Sequence, residues 1–438
     1  MPAKPAGLTH ARVLKIALPI VLSNVTVPLL GMVDTGVVGQ MGQAAPIAAV
    51  GVGAVLISML VWIFGFLRMG TTGMAAQALG AGDAPEANAL LVRGLLIGLT
   101  AGLVLIAAQG ALIWLAFQLA PVSPEVEDLA RTYLQIRIWG APATIALYAV
   151  TGWLIAVERT RAVFVLQLWM NGLNIVLDLW FVLGLDWGVA GVARATLLAE
   201  ATGLMLGLWI CRAVFQTPGW LDPSRILNPA RLRRMMAVNG DIMVRSLSLQ
   251  AIFASFLLLG GRFGDLTLAA NQVLLQFLHI SSYALDGFAF AAEALVGQAV
   301  GAGQRRDLRR AAWLSGVWSA ASAVLATLVF WTAGGAIIDL MTTAPDVRET
   351  ARSYLPYAAS APLLGWAAFV LDGVFIGATA TRDMRNMMLL SLGIYVLAAA
   401  ALIPLIGNHG LWAAMLISFL ARAASLGARY PALERRVG

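Results

Sequence analysis

The sequence predicts an all-α membrane protein: twelve transmembrane helices in two six-helix lobes built as parallel repeats. Three observations carry this expectation. First, 60% of the 438 residues are hydrophobic and only 12% charged, with a mean hydropathy of +0.83, against about 25% charged residues in a typical soluble domain. Second, apolar stretches of the ~20 residues needed to cross a bilayer recur along the whole chain, leaving no room for a sizeable soluble domain. Third, sequence blocks in the first half return in the second at one fixed offset.

A chain in lipid must satisfy its own backbone hydrogen bonds, which leaves helices or a closed barrel. Period-two alternation is absent, and Leu, Ala, Val and Gly run continuously, so helices are expected. Polar and Gly/Pro breaks divide the chain into spans near 13–40, 45–80, 88–119, 125–157, 161–183, 188–214, 230–262, 267–301, 307–340, 346–379, 385–406 and 409–429. Several exceed the hydrocarbon thickness, which implies tilt, kinks or extension beyond it. Lys4, Arg12 and Lys15 precede an apolar run that continues as a full span with no small-residue cleavage site, so an uncleaved first helix is expected.

The loops alternate in charge. Arg159 and Arg161, then Arg225, Arg231, Arg233 and Arg234, then Arg305, Arg306, Arg309 and Arg310, and finally Arg382 and Arg385 fall in even-numbered loops. Glu125, Glu127, Asp128, Asp346 and Glu349 fall in odd-numbered ones. The positive-inside rule then places both termini in the cytoplasm. The loop after span two, with Asp83, Glu86 and Arg93, is the weak member of the pattern. The net charge of +7 comes without a basic, aromatic-laced face, so no nucleic-acid partner is expected. The lone Cys211 excludes an internal disulfide and a cysteine-rich metal site.

The repeat lies at an offset of 221 residues. Gln77, Ala78, Gly80, Ala81 and Gly82 return as Gln298, Ala299, Gly301, Ala302 and Gly303. Pro124 and Val126 return as Pro345 and Val347, Tyr133 and Leu134 as Tyr354 and Leu355, and Gly152, Thr160 and Arg161 as Gly373, Thr381 and Arg382. An even number of spans per half inserts both halves in the same orientation, related by an axis along the membrane normal, with a cavity expected between them. The expected boundaries are residues 1–217 for the N-terminal lobe, 218–229 for a cytoplasmic linker and 230–438 for the C-terminal lobe.

Ionisable groups at bilayer depth cost about 2.5–3.5 kcal/mol on insertion scales and by default mark function. Asp34 lies well inside span one, and Asp178 is mid-span in five. Asn171, Asn174 and Asp178, spaced i, i+3, i+7, share one helix face. Two carboxyls in a low-dielectric pocket cannot both ionise cheaply, which suits a proton site, and carboxylate and amide oxygens suit sodium equally. The alternative is a buried polar cluster that joins helices. Asp286 and Glu293 in span eight, with Asp372 in span ten, can form a second acidic region; the alternatives are helix-to-helix hydrogen bonding or pairing with Arg194 or Arg68. Glu200 and Arg194 in span six are expected to form part of an internal ion-pair network, and His10, His279 and His409 have no ligand spacing. Pro19 and Pro28 allow span one to bend near Asp34. No Ser/His/Asp set, HExxH or Walker A loop is present, so a gradient-driven transporter is expected rather than an enzyme or an ATP-driven pump.

These residues resemble the multidrug and toxic compound extrusion family, in its DinF-like bacterial branch, over essentially the whole chain. Met32, Val33, Asp34, Thr35 and Gly36 resemble its first-helix motif. Phe66, Leu67, Arg68, Met69 and Gly70 with Ala76, Gln77 and Ala78 resemble its second-helix signature, the most specific match. Asn174 through Trp180 resemble its fifth helix, and Ala292, Glu293, Gly297 and Gln298 its eighth. The resemblance implies a V-shaped antiporter around a central cavity, exporting amphipathic, often cationic, small molecules from a multi-pass position in a bacterial inner membrane. It further implies a monomer without an organic cofactor, driven by a proton or a sodium ion. The family's cation site falls on Asp34, Asn174, Asp178, Thr196 and Tyr133, and its bent first-helix proline on Pro19. A fourth-helix Asn of some members is Thr151 here, which with the DinF-like signature favours protons over a sodium ion held at Asp34, Asn174, Asp178 and Thr196. Another branch uses a seventh-helix Glu, where this chain offers only Gln250. A lipid-linked oligosaccharide flippase is the rival, but it calls for a cationic cavity, and the embedded charges here are mostly acidic.

The carboxylates are not duplicated. At the same offset Asp34 stands opposite Ser255, Asn174 opposite Tyr395 and Asp178 opposite Ala399, while Asp286, Glu293 and Asp372 stand opposite Gly65, Thr72 and Thr151. The repeat therefore argues for the architecture, and its breakdown puts the coupling site in the N-terminal half.

Overall fold

The computed structural model describes residues 7–40, 43–119 and 122–437, except for the side chains of residues 27–32, 34, 35 and 119. The side chains of Pro28 and Asp34 therefore lie outside the described residues. Among the described residues twelve long helical rods follow one another: α1 His10–Gly39, α2 Ala44–Gly80, α3 Ala84–Gln118, α4 Pro124–Ala156, α5 Thr160–Gly184, α6 Gly188–Ile210, α7 Pro229–Phe263, α8 Asp265–Gly301, α9 Arg305–Met341, α10 Pro345–Gly377, α11 Thr381–Ile406 and α12 Asn408–Arg435. The eleven from α2 onward are long and apolar enough to cross a membrane. Helix α8, with 37 residues, is about 55 Å long at 1.5 Å per residue, well beyond a ~30 Å hydrocarbon core. Large apolar side chains such as Leu103, Val104, Leu258, Leu397 and Leu405 point outward, as a lipid-facing surface requires.

The helix ends follow from local chemistry. Thr9 caps α1, its hydroxyl accepting the Arg12 amide at 3.3 Å. Pro124 and Pro345 occupy the first turns of α4 and α10, where a missing N–H costs nothing. The turns after α2 and α8 reverse through Gly82 and Gly303, at φ of 77° and 66°. Those after α4 and α10 pass through Glu158 and Thr379, at φ of 59° and 48°. In both of the latter turns an amide reaches back five residues, Arg159 to the Leu154 carbonyl at 2.8 Å and Ala380 to Phe375 at 2.9 Å. Every pair is 221 residues apart, so the sequence repeat is also a repeat of backbone geometry.

The helices gather into two compact units. The N-terminal unit comprises Leu22–Ala75 and Asp83–Met235. The C-terminal unit comprises Met236–Gly438, Ala76–Gly82 and the start of α1 through Val21. Within the C-terminal unit the end of α2 packs directly on α8. A Cβ at Gly80 would collide with the Gln298 carbonyl, and one at Gly301 with the Gln77 carbonyl. The Gln77 amide donates to the Gly377 carbonyl at 2.9 Å and to the Thr379 hydroxyl at 3.0 Å, and Arg12 donates to the Gln298 side chain at 2.9 Å. Deeper in this unit Asn271 and Asn408 exchange amide hydrogen bonds at 2.8 and 3.0 Å, and the Trp412 indole adds a third at 2.8 Å. Phe256 meets Trp412 edge-on, with ring centroids 4.8 Å apart.

In the N-terminal unit the weak charge loop turns out to be neutralised locally. Arg93 is buried and grips Glu86 through two hydrogen bonds of 2.9 and 3.0 Å, while Arg231 pairs with the same carboxylate. Arg225 faces Asp83 at 3.2 Å, and Arg93 also donates to the carbonyls of Arg225 and Ile226. Arg225, from the segment between α6 and α7, and Arg231, from the first turn of α7, thus answer the two acids of the loop after α2. The segment between α6 and α7 carries a further short helix, Pro223–Ile226, capped by Asp222 through the Ser224 amide at 2.9 Å.

Candidate functional site

Helix α5 is apolar except for one stripe, and the structure buries that stripe. Asn171, Asn174 and Asp178 are 5%, 1% and 0% exposed, whereas Trp169, Val176 and Trp180 on other faces are exposed. The spacing i, i+3, i+7 is what sets all three on one side. The α-helix proper ends at Asp178 and continues as a π-helical turn, Leu179–Gly184. Such turns widen the backbone ladder and concentrate at functional sites.

The stripe is tied into the N-terminal unit by hydrogen bonds. The Asn174 amide donates to the Thr196 hydroxyl on α6 at 3.2 Å, and that hydroxyl donates to the Val192 carbonyl at 3.0 Å. One turn earlier, Asn171 donates to the Thr26 hydroxyl and carbonyl on α1, at 2.8 and 3.2 Å, and accepts from Gln167 at 2.9 Å. Helix α5 is therefore fastened to α6 at the level of Asn174 and to α1 at the level of Asn171. Tyr133 on α4 is buried, 3% exposed, with its ring against Gly53. Pro19 lies in the uninterrupted helix α1, two residues before the chain passes from the C-terminal to the N-terminal unit.

The side chain of Asp34 is outside the described residues, yet the repeat supplies its counterpart. In the C-terminal unit the positions opposite Asp34 and Asn174 are Ser255 and Tyr395. The Ser255 hydroxyl donates to the Tyr395 hydroxyl at 3.2 Å, and Tyr395 is 1% exposed. The fold therefore brings these two positions within hydrogen-bonding distance in the unit where both are described.

Glu200 is part of an internal ion pair as expected, but its partner is Arg137 on α4, through contacts of 2.7 and 2.9 Å. Arg194 instead stacks its guanidinium over the Trp187 ring at 4.8 Å. Residues six apart on one helix stand about 120° apart around its axis, so Arg194 and Glu200 meet different neighbours. Asp372 takes neither Arg194 nor Arg68: it pairs with Arg245 on α7 and lies 3.8 Å from Arg422 on α12. All three side chains are buried, so a cluster of two cations and one anion occupies the C-terminal unit. Glu293 is also buried, at 1% exposure, and Asp286 partly so. Asp372 thus belongs to a mixed-charge cluster with Arg245 and Arg422. Arg137, Arg245 and Arg422 carried a signal, since each is a cation within an apolar span, but their partners come from distant helices.

A family model described as MatE matches residues 19–180 and again 242–402, one copy in each half and more than half the chain in all. The chain is 40% identical to the DNA damage-inducible protein F of Escherichia coli K12, over 94% of this chain and 90% of that protein. It is 27% identical to a probable multidrug resistance protein NorM of Pseudomonas aeruginosa, over 94% of this chain and 86% of the relative. A crystal structure of the Vibrio cholerae MATE transporter VcmN in its bent form superposes with a TM-score of 0.85 at 19% identity, covering 98% of this chain and 97% of that one.

Proposed function

The chain belongs to the MatE family of multidrug and toxic compound extrusion transporters, and from that premise we propose that it is a secondary active antiporter exporting amphipathic and cationic organic compounds in exchange for protons. It works as a multi-pass protein of a bacterial inner membrane with both termini cytoplasmic. The observation that carries the coupling mechanism is the buried stripe of α5. Asp178 has no exposed surface, and a carboxylate so placed is costly to keep charged unless a proton or cation accompanies it. Asn174, one turn away on the same face and hydrogen-bonded to Thr196, is a neutral polar neighbour, and the family resemblance assigns Tyr133 and the second carboxyl, Asp34, to the same site.

Helix α1 is the element that can respond. It carries Asp34, it is hydrogen-bonded to the same α5 stripe through Thr26 and Asn171, and Pro19 removes one of its backbone hydrogen bonds. Proton uptake at the Asp34/Asp178 region changes the charge beside α1 and biases it between conformations. Release of substrate then becomes coupled to protonation, because only a differential interaction with the two states can shift their equilibrium. The same oxygens suit sodium chemically; the DinF-like second-helix signature and Thr151 support the proton.

The test is ethidium accumulation in energised everted vesicles. Asp34→Asn and Asp178→Asn each remove one titratable group while keeping shape, and both are expected to abolish accumulation. Wild-type rates in either variant would remove that carboxyl from the mechanism.

A further inference from the structure

The C-terminal unit carries a surface trough that the transport reading does not use. It runs along α9, between α10 and α12, as two hollows of about 720 and 350 Å³. They share Ala312, Trp313 and Leu371 and so form one continuous depression. The wider end is basic and is lined by Arg306, Arg309, Arg310 and Tyr430. The narrower end is entirely apolar, with Val317, Ala320, Trp366 and Val374 among its walls.

The arginines divide into two sets. Arg305 and Arg309, one turn apart, both face Glu434 and share its charge. Arg306 and Arg310, the next strip round the helix, are exposed and make no hydrogen bond or ion pair among the described residues. Two uncommitted guanidinium groups therefore stand at the head of an apolar trough. From Arg310 to Ala320 is ten residues, about 15 Å of helix, which is half of a ~30 Å hydrocarbon core. With the cations placed at headgroup level, the trough below them spans the length of one leaflet. Trp313, 63% exposed at their junction, sits where interfacial aromatic rings collect.

We propose that this trough is a binding site for an anionic phospholipid. The phosphodiester is held by Arg306 and Arg310, with the Tyr430 hydroxyl as a further donor, and one acyl chain lies along α9 toward Ala320. Charge complementarity selects the occupant. Unpaired guanidinium groups in a basic pocket between membrane helices recognise acidic headgroups, and a zwitterionic lipid brings its own ammonium group to compete. The apolar trough distinguishes a lipid from free phosphate, which has nothing to place there. By the positive-inside rule the site faces the cytoplasmic leaflet.

The probe is phosphatidylglycerol added to the purified full-length transporter in a neutral detergent, with retained lipid counted by native mass spectrometry. Phosphatidylethanolamine of the same chain length and inorganic phosphate serve as comparisons. Wild-type protein is expected to retain phosphatidylglycerol in preference to phosphatidylethanolamine. The double variant Arg306→Gln/Arg310→Gln is expected to weaken retention about 30-fold, the effect of two basic residues at a membrane surface. Both side chains are exposed, so the variant is expected to fold, and an unchanged elution profile confirms this. Ala320→Trp fills the apolar end without touching the arginines and is expected to lose the lipid as well. Equal retention of both lipids, undiminished retention in the double variant, or displacement by millimolar phosphate would each overturn the proposal.

Discussion

Replacing Glu200 by Gln is expected to destabilise the N-terminal unit severely, although Glu200 is not among the residues assigned to coupling. Its carboxylate meets the Arg137 guanidinium through two contacts of 2.7 and 2.9 Å, with side chains only 16% and 10% exposed. Hydrogen bonds to charged groups contribute about 1.5–3 kcal/mol each, so two of them set a gross scale of roughly 3–6 kcal/mol. Removing one member of a buried ion pair costs about 3–5 kcal/mol, because the remaining charge is left buried and uncompensated. Glutamine keeps the shape and one acceptor, which places Glu200→Gln near the lower end, about 3 kcal/mol. The double variant Arg137→Met/Glu200→Met removes both charges and is expected to recover most of that loss, since apolar replacements of buried pairs are often neutral. The assay is reversible SDS unfolding of the purified protein followed by tryptophan fluorescence, run as a double-mutant cycle. A single-variant cost below about 1 kcal/mol, or a double variant no better than the single, would refute the claim that burial governs this pair.

The close approach of α10 to α8 gives a second expectation. A Cβ at Gly373 would run into the Ala289 carbonyl, and backbone cannot yield as a side-chain tip can. Gly373→Ala is expected to cost about 1–3 kcal/mol of stability and to lower the amount of folded protein in the membrane, as size-exclusion profiles of solubilised material would show; an unchanged profile would contradict it. Cys211 is 1% exposed, so a maleimide added to folded protein is expected to label it slowly, and at the free-thiol rate only after denaturation. Rapid labelling in the native state would mean that the end of α6 is open to solvent.

The fold was legible in the sequence because its signals are local and repeated. Span lengths follow from runs of apolar residues, and the duplicated turns at Gly82 and Gly303 are marked by glycine itself. The α5 stripe was legible for the same reason: i, i+3, i+7 fixes a helix face whatever surrounds it. Partners were not legible. Glu200 has Arg194 nearby on its own helix, yet six residues is the wrong spacing, and Arg137 lies 63 residues away. Asp372 is answered from α7 and α12 at once, a three-helix meeting that no spacing encodes. The ambiguous charge of the loop after α2 had the same cause, because Glu86 and Asp83 are completed by Arg231 and Arg225 across more than a hundred residues. The π-helical turn after Asp178 also left no mark in the sequence, since Leu179 to Gly184 reads as ordinary apolar helix.

Proton coupling is tested most directly by substrate accumulation in everted vesicles energised by a single imposed gradient. An inward-acid pH jump in sodium-free medium is expected to drive ethidium accumulation in wild-type vesicles and to fail in Asp178→Asn, while a sodium gradient at constant pH is expected to drive none. Accumulation that follows the sodium gradient alone, or that persists under the pH jump in Asp178→Asn, would contradict proton coupling through the buried stripe of α5.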